Sequence, residues 1–318
     1  MSKLVKKIES KNAIIGLAIA DALGVPIEFN KREQLQDNLT TEMAGYGTYN
    51  VEKGSWSDDT SMTLCLIDAI NKTGKIVPKD IMENFVKWVK YQEFTPSGVL
   101  FDIGGTCMQA IENYYDYDET PIECGLAEEE NNGNGSLMRI SPIIYYAYAK
   151  DLNDSDIYNI VKDVSSLTHR HPISIMACYM YVLYGIELLR GKSLKEAYDI
   201  IKTKDYSMFD DYTKSKYNRV LKDDISKLSI DEIKSTGYVV DTLEATFWSL
   251  LTTDNYNDSI IKAINLGNDT DTIGACTGAL SGMYYGIDSI KESWKNDLLR
   301  CDYIIELCNE FDNVLNKK

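Results

Sequence analysis

The stretches Trp56-Ser57-Asp58-Asp59-Thr60 and Gly267-Asn268-Asp269-Thr270-Asp271-Thr272 hold the residue types best suited to joint chemistry in this sequence. Each sets two carboxylates and a hydroxyl at the start of a helix-like run, one apolar (62–70) and one rich in small residues. Singly, each has an ordinary explanation. Ser57 is placed as an N-cap, and acids in a first helical turn complement the helix dipole by roughly 0.3–1 kcal/mol apiece. Two such clusters point further. Four converging carboxylates repel strongly unless cations sit between them. Hard oxygen donors without His or Cys favour Mg²⁺ or Mn²⁺ over zinc, and two ions suit that many carboxylates. A calcium loop is excluded, because the required Gly and the closing Glu are both missing.

Three further segments could serve the same site. Glu28, in Gly24-Val25-Pro26-Ile27-Glu28-Phe29, follows a helix that Gly24 and Pro26 terminate, so it lies in a connecting loop. The run Asn132-Gly133-Asn134-Gly135-Ser136-Leu137-Met138-Arg139 offers free amide donors to an anion as it enters a helix. It is neither a Walker loop nor a dinucleotide fingerprint, and alone it reads equally as a turn. Thr168-His169-Arg170-His171-Pro172 holds both histidines of the chain, and zinc is disfavoured for want of further ligands at suitable spacing.

The elements that must position these residues are helical. Apolar residues recur at three- and four-residue spacing over 12–23, 58–71, 79–92, 105–115, 141–149, 172–189, 194–201, 240–251, 258–265, 271–284 and 297–312. No period-2 run of useful length appears. Gly16, Ala20 and Gly24 recur every fourth residue on the first helix, as do Gly274, Gly278 and Gly282 on the penultimate one. Such faces let another backbone approach closely, which predicts central helices of a tightly packed bundle with carboxylates at their ends. The expected fold is all-α, one compact helical bundle over 1–318. The stretch 203–231, rich in Lys, Asp and Tyr with few strong core positions, is read as a surface excursion.

Composition bounds the partners. The chain has 318 residues, 44% hydrophobic and 26% charged, and a net charge of −16. So acidic a surface argues against a general nucleic-acid grip or an anionic membrane. No stretch approaches the ~20 apolar residues of a membrane span. Seven cysteines without a CxxC pair read as reduced, buried thiols of a cytoplasmic protein. Lys3, Lys6 and Lys7 before the apolar run 13–20, with Ala18-Ile19-Ala20, imitate a secretory leader, but the run is short and Asp21 interrupts it. Monomer is the default expectation.

In these motifs the sequence resembles the ADP-ribosylglycohydrolases, the family of the dinitrogenase reductase-activating glycohydrolases and the ADP-ribosyl-acceptor hydrolases. The resemblance runs in order through 16–29, 54–64, 101–106, 132–142, 168–172, 237–249 and 265–286, and SDDT with NDTDTIGA is its specific part. It implies an all-helical bundle with two Mg²⁺ (or Mn²⁺) in a cleft and hydrolysis of ADP-ribose from an acceptor. By position it implies Ser57, Asp58, Asp59, Asp269, Asp271 and Thr272 as metal ligands, with Asp271 bridging. Glu28 would approach the metals and gate the substrate. Gly133, Asn134, Gly135, Ser136 and Leu137 would cradle the diphosphate and distal ribose, with His169, Gly105 and Tyr238 as further substrate contacts. Asp58 or Asp59 would be the base, with Glu28 orienting the leaving group. Many members carry Thr where this chain has Ser57; the hydroxyl survives with looser rotamer control. The acceptor stays open among arginine, serine, a nucleobase and an acetyl ester. Two other readings are a non-catalytic ADP-ribose-binding or immunity protein and another Mg²⁺-dependent phosphoester hydrolase.

Overall fold

Apolar residues at three- and four-residue spacing become buried helix faces almost throughout. The computed structural model describes residues 8–317. Its α-helices are α1 (Lys11–Gly24), α2 (Arg32–Asp37), α3 (Asp58–Thr73), α4 (Pro78–Tyr91), α5 (Gly105–Tyr117), α6 (Ser141–Ala149), α7 (Asp154–Ser166) and α8 (Pro172–Leu189). The chain continues with α9 (Leu194–Lys202), α10 (Asp211–Lys216), α11 (Asn218–Lys222), α12 (Val239–Leu251), α13 (Tyr256–Ile264), α14 (Thr270–Tyr285), α15 (Glu292–Asp297) and α16 (Cys301–Asn316). Among the described residues there is no β-strand, only isolated bridges such as Gly133 with Tyr238.

The two small-residue faces meet each other. α1 and α14 run antiparallel at the centre, and their backbones are in contact along their length. A Cβ on Gly16 would lie 2.4 Å from the Gly278 carbonyl oxygen, and one on Gly24 would lie 2.4 Å from the Asp271 Cα. Thr270 donates across the pair to the Gly24 carbonyl at 2.8 Å, and Tyr256 of α13 donates to the Gly16 carbonyl at 2.6 Å. The C-terminus of α1 is thereby set beside the N-terminus of α14, which is where the acids lie. Gly278→Ala would push a methyl to 2.3 Å from the Gly16 carbonyl oxygen. It is expected to cost about 1–3 kcal/mol in urea unfolding; an unchanged midpoint would contradict the close pairing.

Around this pair α3, α13, α12, α8 and α16 complete the core. α8 is long and apolar enough to cross a membrane by length and composition, which corrects the expectation that no stretch comes near a span. It is 89% buried inside the bundle, with Tyr181 donating to the Cys276 carbonyl of α14 at 2.8 Å. The cysteines are free, and six of the seven are buried.

The stretch 203–231 is more than a surface excursion. Tyr206, Phe209, Tyr217, Val220 and Ile225 are buried. The Tyr217 hydroxyl donates to the Ile173 carbonyl at 2.6 Å, which ties α10 and α11 to α8. Helix α7 was not among the periodic segments, and the last helix begins at Cys301, not at 297, because Arg300 has φ +49° and breaks the run after α15. Lys3, Lys6 and Lys7 lie outside the described residues.

Candidate active site

Two helix starts and one helix end converge. Ser57 is extended (φ −93°, ψ −156°) and caps α3, its hydroxyl accepting from the Asp59 amide at 3.3 Å and donating to Asp59 Oδ2 at 3.1 Å. Beneath it lies Asp21, fully buried near the end of α1. Its carboxylate accepts from the Ser57 amide at 2.9 Å, the Thr60 amide at 3.1 Å and the Thr60 hydroxyl at 2.6 Å. Asp21 thus closes the orphan amides of the α3 N-terminus. At the other helix start, Asp269 precedes α14 and Asp271 lies in its first turn. Gly267 makes this possible: φ is +80°, and a Cβ there would lie 2.6 Å from the Arg32 amide nitrogen.

The carboxylates form two overlapping triads. Oxygens of Asp21, Asp59 and Asp271 lie within 4.8 Å of one another, as do those of Glu28, Asp269 and Asp271, so Asp271 belongs to both. Burial pushes every one of these acids upward. Asp21 is raised to about 7, and Glu28 to about 8 with repulsion from Asp102 and Asp269 adding to its burial. Asp58, Asp59 and Asp271 are raised well above the ordinary carboxylate range by burial and by repulsion from neighbouring acids such as Asp102. Among the described residues none of them forms an ion pair with Lys or Arg. Glu28 Oε2, Asp59 Oδ1 and Asp269 Oδ1 are buried without a hydrogen-bond partner among the described residues. Oxygen-only donors, orphaned anionic atoms and mutual repulsion together fit divalent cations. Thr272 lies next to Asp271 on the same turn and lines the cleft.

The cleft has a volume of about 330 Å³ and is lined by Glu28, Phe29, Asp58, Asp102 and Gly105 together with Gly133, Asn134, Gly135, Met138 and His169. Asp58 faces it, its Oδ2 accepting from the Gly104 amide at 3.3 Å. Asp59 is fully buried behind it. Asp102 is raised to about 6 by burial. Tyr49 lies against both Glu28 and Asp102, with its ring 5.3 Å from that of Phe101 and 6.5 Å from that of Phe29.

The Gly-rich loop also lines the cleft. The Asn134 side chain donates to Asp269 Oδ2 and to Thr242 Oγ1, both at 2.9 Å, tying the loop to the acid cluster. Gly135 has no alternative: a Cβ would lie 2.7 Å from Cys107 Sγ and 2.9 Å from His169 Cε1. His169 is buried, bonded through Nδ1 to Thr168 Oγ1 at 2.8 Å, and held neutral by burial, which lowers it to about 3. His171 instead caps α8, accepting from the Ile173 amide. The Ser136 and Leu137 side chains turn into the core, Ser136 toward Ser165 and Cys178; both residues are fully buried and neither lines the cleft, unlike the expectation for them. Tyr238 is half-buried and does not line the cleft; its neighbours Gly237 and Val239 brace the loop through backbone bonds to Asn134 and Asn132.

Residues 7–318 match the ADP-ribosylglycohydrolase family model. The chain belongs to this family. It is 32% identical over 308 residues to the ADP-ribosylarginine hydrolase Tri1 of Serratia proteamaculans (strain 568), covering 95% of this chain and 78% of the relative. It is 29% identical to the ADP-ribosyl-[dinitrogen reductase] glycohydrolase of Rhodospirillum rubrum, covering 90% and 88%. A solved ADP-ribosylglycohydrolase-related protein complex superposes with a TM-score of 0.80 at 26% identity, covering 96% of this chain and 97% of that one. This ADP-ribosylglycohydrolase is accordingly an enzyme, and its all-helical architecture is that of the family.

Two residues of this ADP-ribosylglycohydrolase cleft escaped sequence reasoning. Asp21 was used only as an interruption of an apolar run. A lone acid inside a helix buried from Ala13 to Gly24 is itself the signal, since such a charge must find partners. Asp102 lies in a loop whose course is set by the Gly104–Asp58 bond across 46 residues, and no local pattern marks it.

Proposed function

We propose that this enzyme hydrolyses ADP-ribose from arginine in a divalent-metal-dependent reaction. The observation that carries the metal half is the pair of acid triads sharing Asp271, with three orphaned oxygens. Ser57, Asp58, Asp59, Asp269, Asp271 and Thr272 would hold two Mg²⁺ or Mn²⁺, with Glu28 approaching them. When bound there, the cations supply Lewis acidity, an orienting template and relief of the carboxylate repulsion.

The chain's own groups do the rest. Hydrolysis breaks the bond between the anomeric carbon of the distal ribose and a guanidine nitrogen, and forms a bond from that carbon to water oxygen. The transition state carries oxocarbenium-like charge on the ribose, which the surrounding carboxylates stabilise. One water proton passes to a carboxylate and finally to the departing guanidine. Asp58 suits that duty better than Asp59, because Asp58 faces the cleft while Asp59 is sealed behind it and bonded to Ser57. The amides of Gly133 and Gly135, which line the cleft and have no acceptor among the described residues, would meet the diphosphate without any lysine. Neutral His169 lends a hydrogen-bonding edge to the ligand without adding charge.

The acceptor side supports arginine. Glu28 and Asp102 flank the mouth, and Phe29, Tyr49 and Phe101 stand beside them, which suits a planar cation. A neutral serine or acetyl leaving group gains nothing from that charge. Two relatives at 32% and 30% identity bear the name ADP-ribosylarginine hydrolase. The test is ADP-ribose release from arginine-, serine-, nucleobase- and acetyl-linked substrates with Mg²⁺. Release from the arginine substrate at least tenfold faster than from the others is expected. Preferential release from serine would replace the acceptor, and binding of ADP-ribose without release from any would make the protein a binder.

A further inference from the structure

Phe29 is the one exposed phenylalanine of the chain's seven, with 67% of its surface open, and it lines the cleft beside Glu28. Its φ is +64°, a region that strains a bulky side chain. The conformation is imposed by neighbouring backbone. The Phe29 amide donates to the Asn268 carbonyl at 2.6 Å, and the Asn268 amide returns a bond to the Asn30 carbonyl at 2.8 Å. On the preceding residue, Thr48 Oγ1 donates to the Glu28 carbonyl at 2.8 Å. Glycine or asparagine would meet this geometry at less cost. Phe94 has a similar φ of +59°, but its ring is buried in the core, which offsets the strain. Phe29 has little such compensation within the fold.

What surrounds the ring is the acidic end of the cleft. Phe29 lines it together with Glu28, Asp58, Asp102 and Asp269, and no Lys or Arg does so. The Tyr49 ring stands 6.5 Å away, tilted by 57°. Carboxylates alone attract any cation. An exposed ring beside them adds the attraction of its quadrupole, which favours a planar, weakly hydrated guanidinium. Strain held at such a position is repaid when a ligand covers the ring.

We infer that Phe29 is a specificity-determining residue: its ring is the platform that receives the guanidinium of an ADP-ribosylated arginine beside Glu28 and Asp102. The paired backbone bonds to Asn268 hold this platform against the loop that carries Asp269. The inference deepens the arginine reading of the cleft and rests on it.

The test follows steady-state release from an arginine-linked ADP-ribose substrate with Mg²⁺, and inhibition of that release by ADP-ribose, which lacks the acceptor. Phe29→Asn suits the left-handed backbone and lacks the ring, while Phe29→Leu keeps the strain and the apolar bulk without a π face. Both are expected to raise KM about 2- to 30-fold, the span from an exposed to a desolvated cation–π contact, with inhibition by ADP-ribose within about twofold of wild type. Phe29→Tyr keeps a π face and is expected to hold the wild-type KM. The melting temperature of Phe29→Asn should not fall, because the ring adds little to the fold. Unchanged KM in the Asn and Leu variants overturns the inference. So does an equal weakening of ADP-ribose, or a lowered melting temperature in Phe29→Asn, either of which would mark a structural role. Where these substitutions disturb the loop, fluorination of the ring decides, since it keeps the shape. Replacing Phe29 with mono-, di- and trifluorophenylalanine drains the π face stepwise, and KM should climb with each fluorine; a flat series overturns the proposal. A wild-type enzyme that releases ADP-ribose from serine and not from arginine would instead remove the acceptor reading on which the inference stands.

Discussion

Asp58→Asn is expected to lower the rate of ADP-ribose release by about 10²–10⁴-fold, the range lost with a positioned acid–base group, while the fold survives. The amide is isosteric and the Gly104 amide can still donate to its oxygen, so the loop carrying Asp102 keeps its anchor. What disappears is one negative charge from a cluster whose members resist ionisation first through burial and then through repulsion from neighbouring carboxylates. The metal-free variant should for that reason be at least as stable as the wild-type protein, a trade of stability against function common at such sites. Thermal unfolding and the release assay on one preparation decide both halves. A folded variant with release within about threefold of wild type would remove Asp58 from the reaction.

The metal-free protein is expected to lose stability as pH rises, the reverse of ordinary acid denaturation. Glu28 moves from an ordinary 4.5 to about 8 and Asp21 from 3.8 to about 7 on folding, so both hold protons that the unfolded chain gives up. A raised carboxylate contributes fully below its unfolded value, and that contribution is gone once pH passes its folded value. Each such group adds a slope of up to about 1.4 kcal/mol per pH unit. His169 acts in the opposite sense, since it is lowered from 6.5 to about 3 and gains stability as pH rises to 6.5. The range from 6.5 to 8 therefore reads the acid cluster without the histidine. In EDTA the melting temperature should fall across that range, and Mg²⁺ should raise it more at pH 8 than at pH 6.5. A melting temperature that rises across it without metal would show that the acids are not held as the structure places them.

Much of this was legible in the residues. The helices at 172–189 and after the first acid motif were readable because each is a long apolar run behind a capping residue, His171 and Ser57 respectively. The close approach of α1 to α14 was readable because glycine at every fourth position has one mechanical use. Other parts were hidden for physical reasons. Tyr206 and Tyr217 look polar in a Lys- and Asp-rich stretch, yet each is buried with its hydroxyl bonded to a carbonyl, of Ile201 and Ile173 respectively. α7 carries Ile157, Val161 and Val164 inward amid polar neighbours, a stripe too narrow to stand out in sequence. Within the site, the acids flanking helix starts were visible, whereas the place of Asp102 depends on a bond that only the folded chain makes.

The same release assay on EDTA-stripped enzyme tests the central claim most directly. With an arginine-linked ADP-ribose substrate, the stripped protein should release nothing above background, and Mg²⁺ or Mn²⁺ alone should restore turnover. Undiminished release from the stripped protein would contradict the reading of the acid triads as a metal centre.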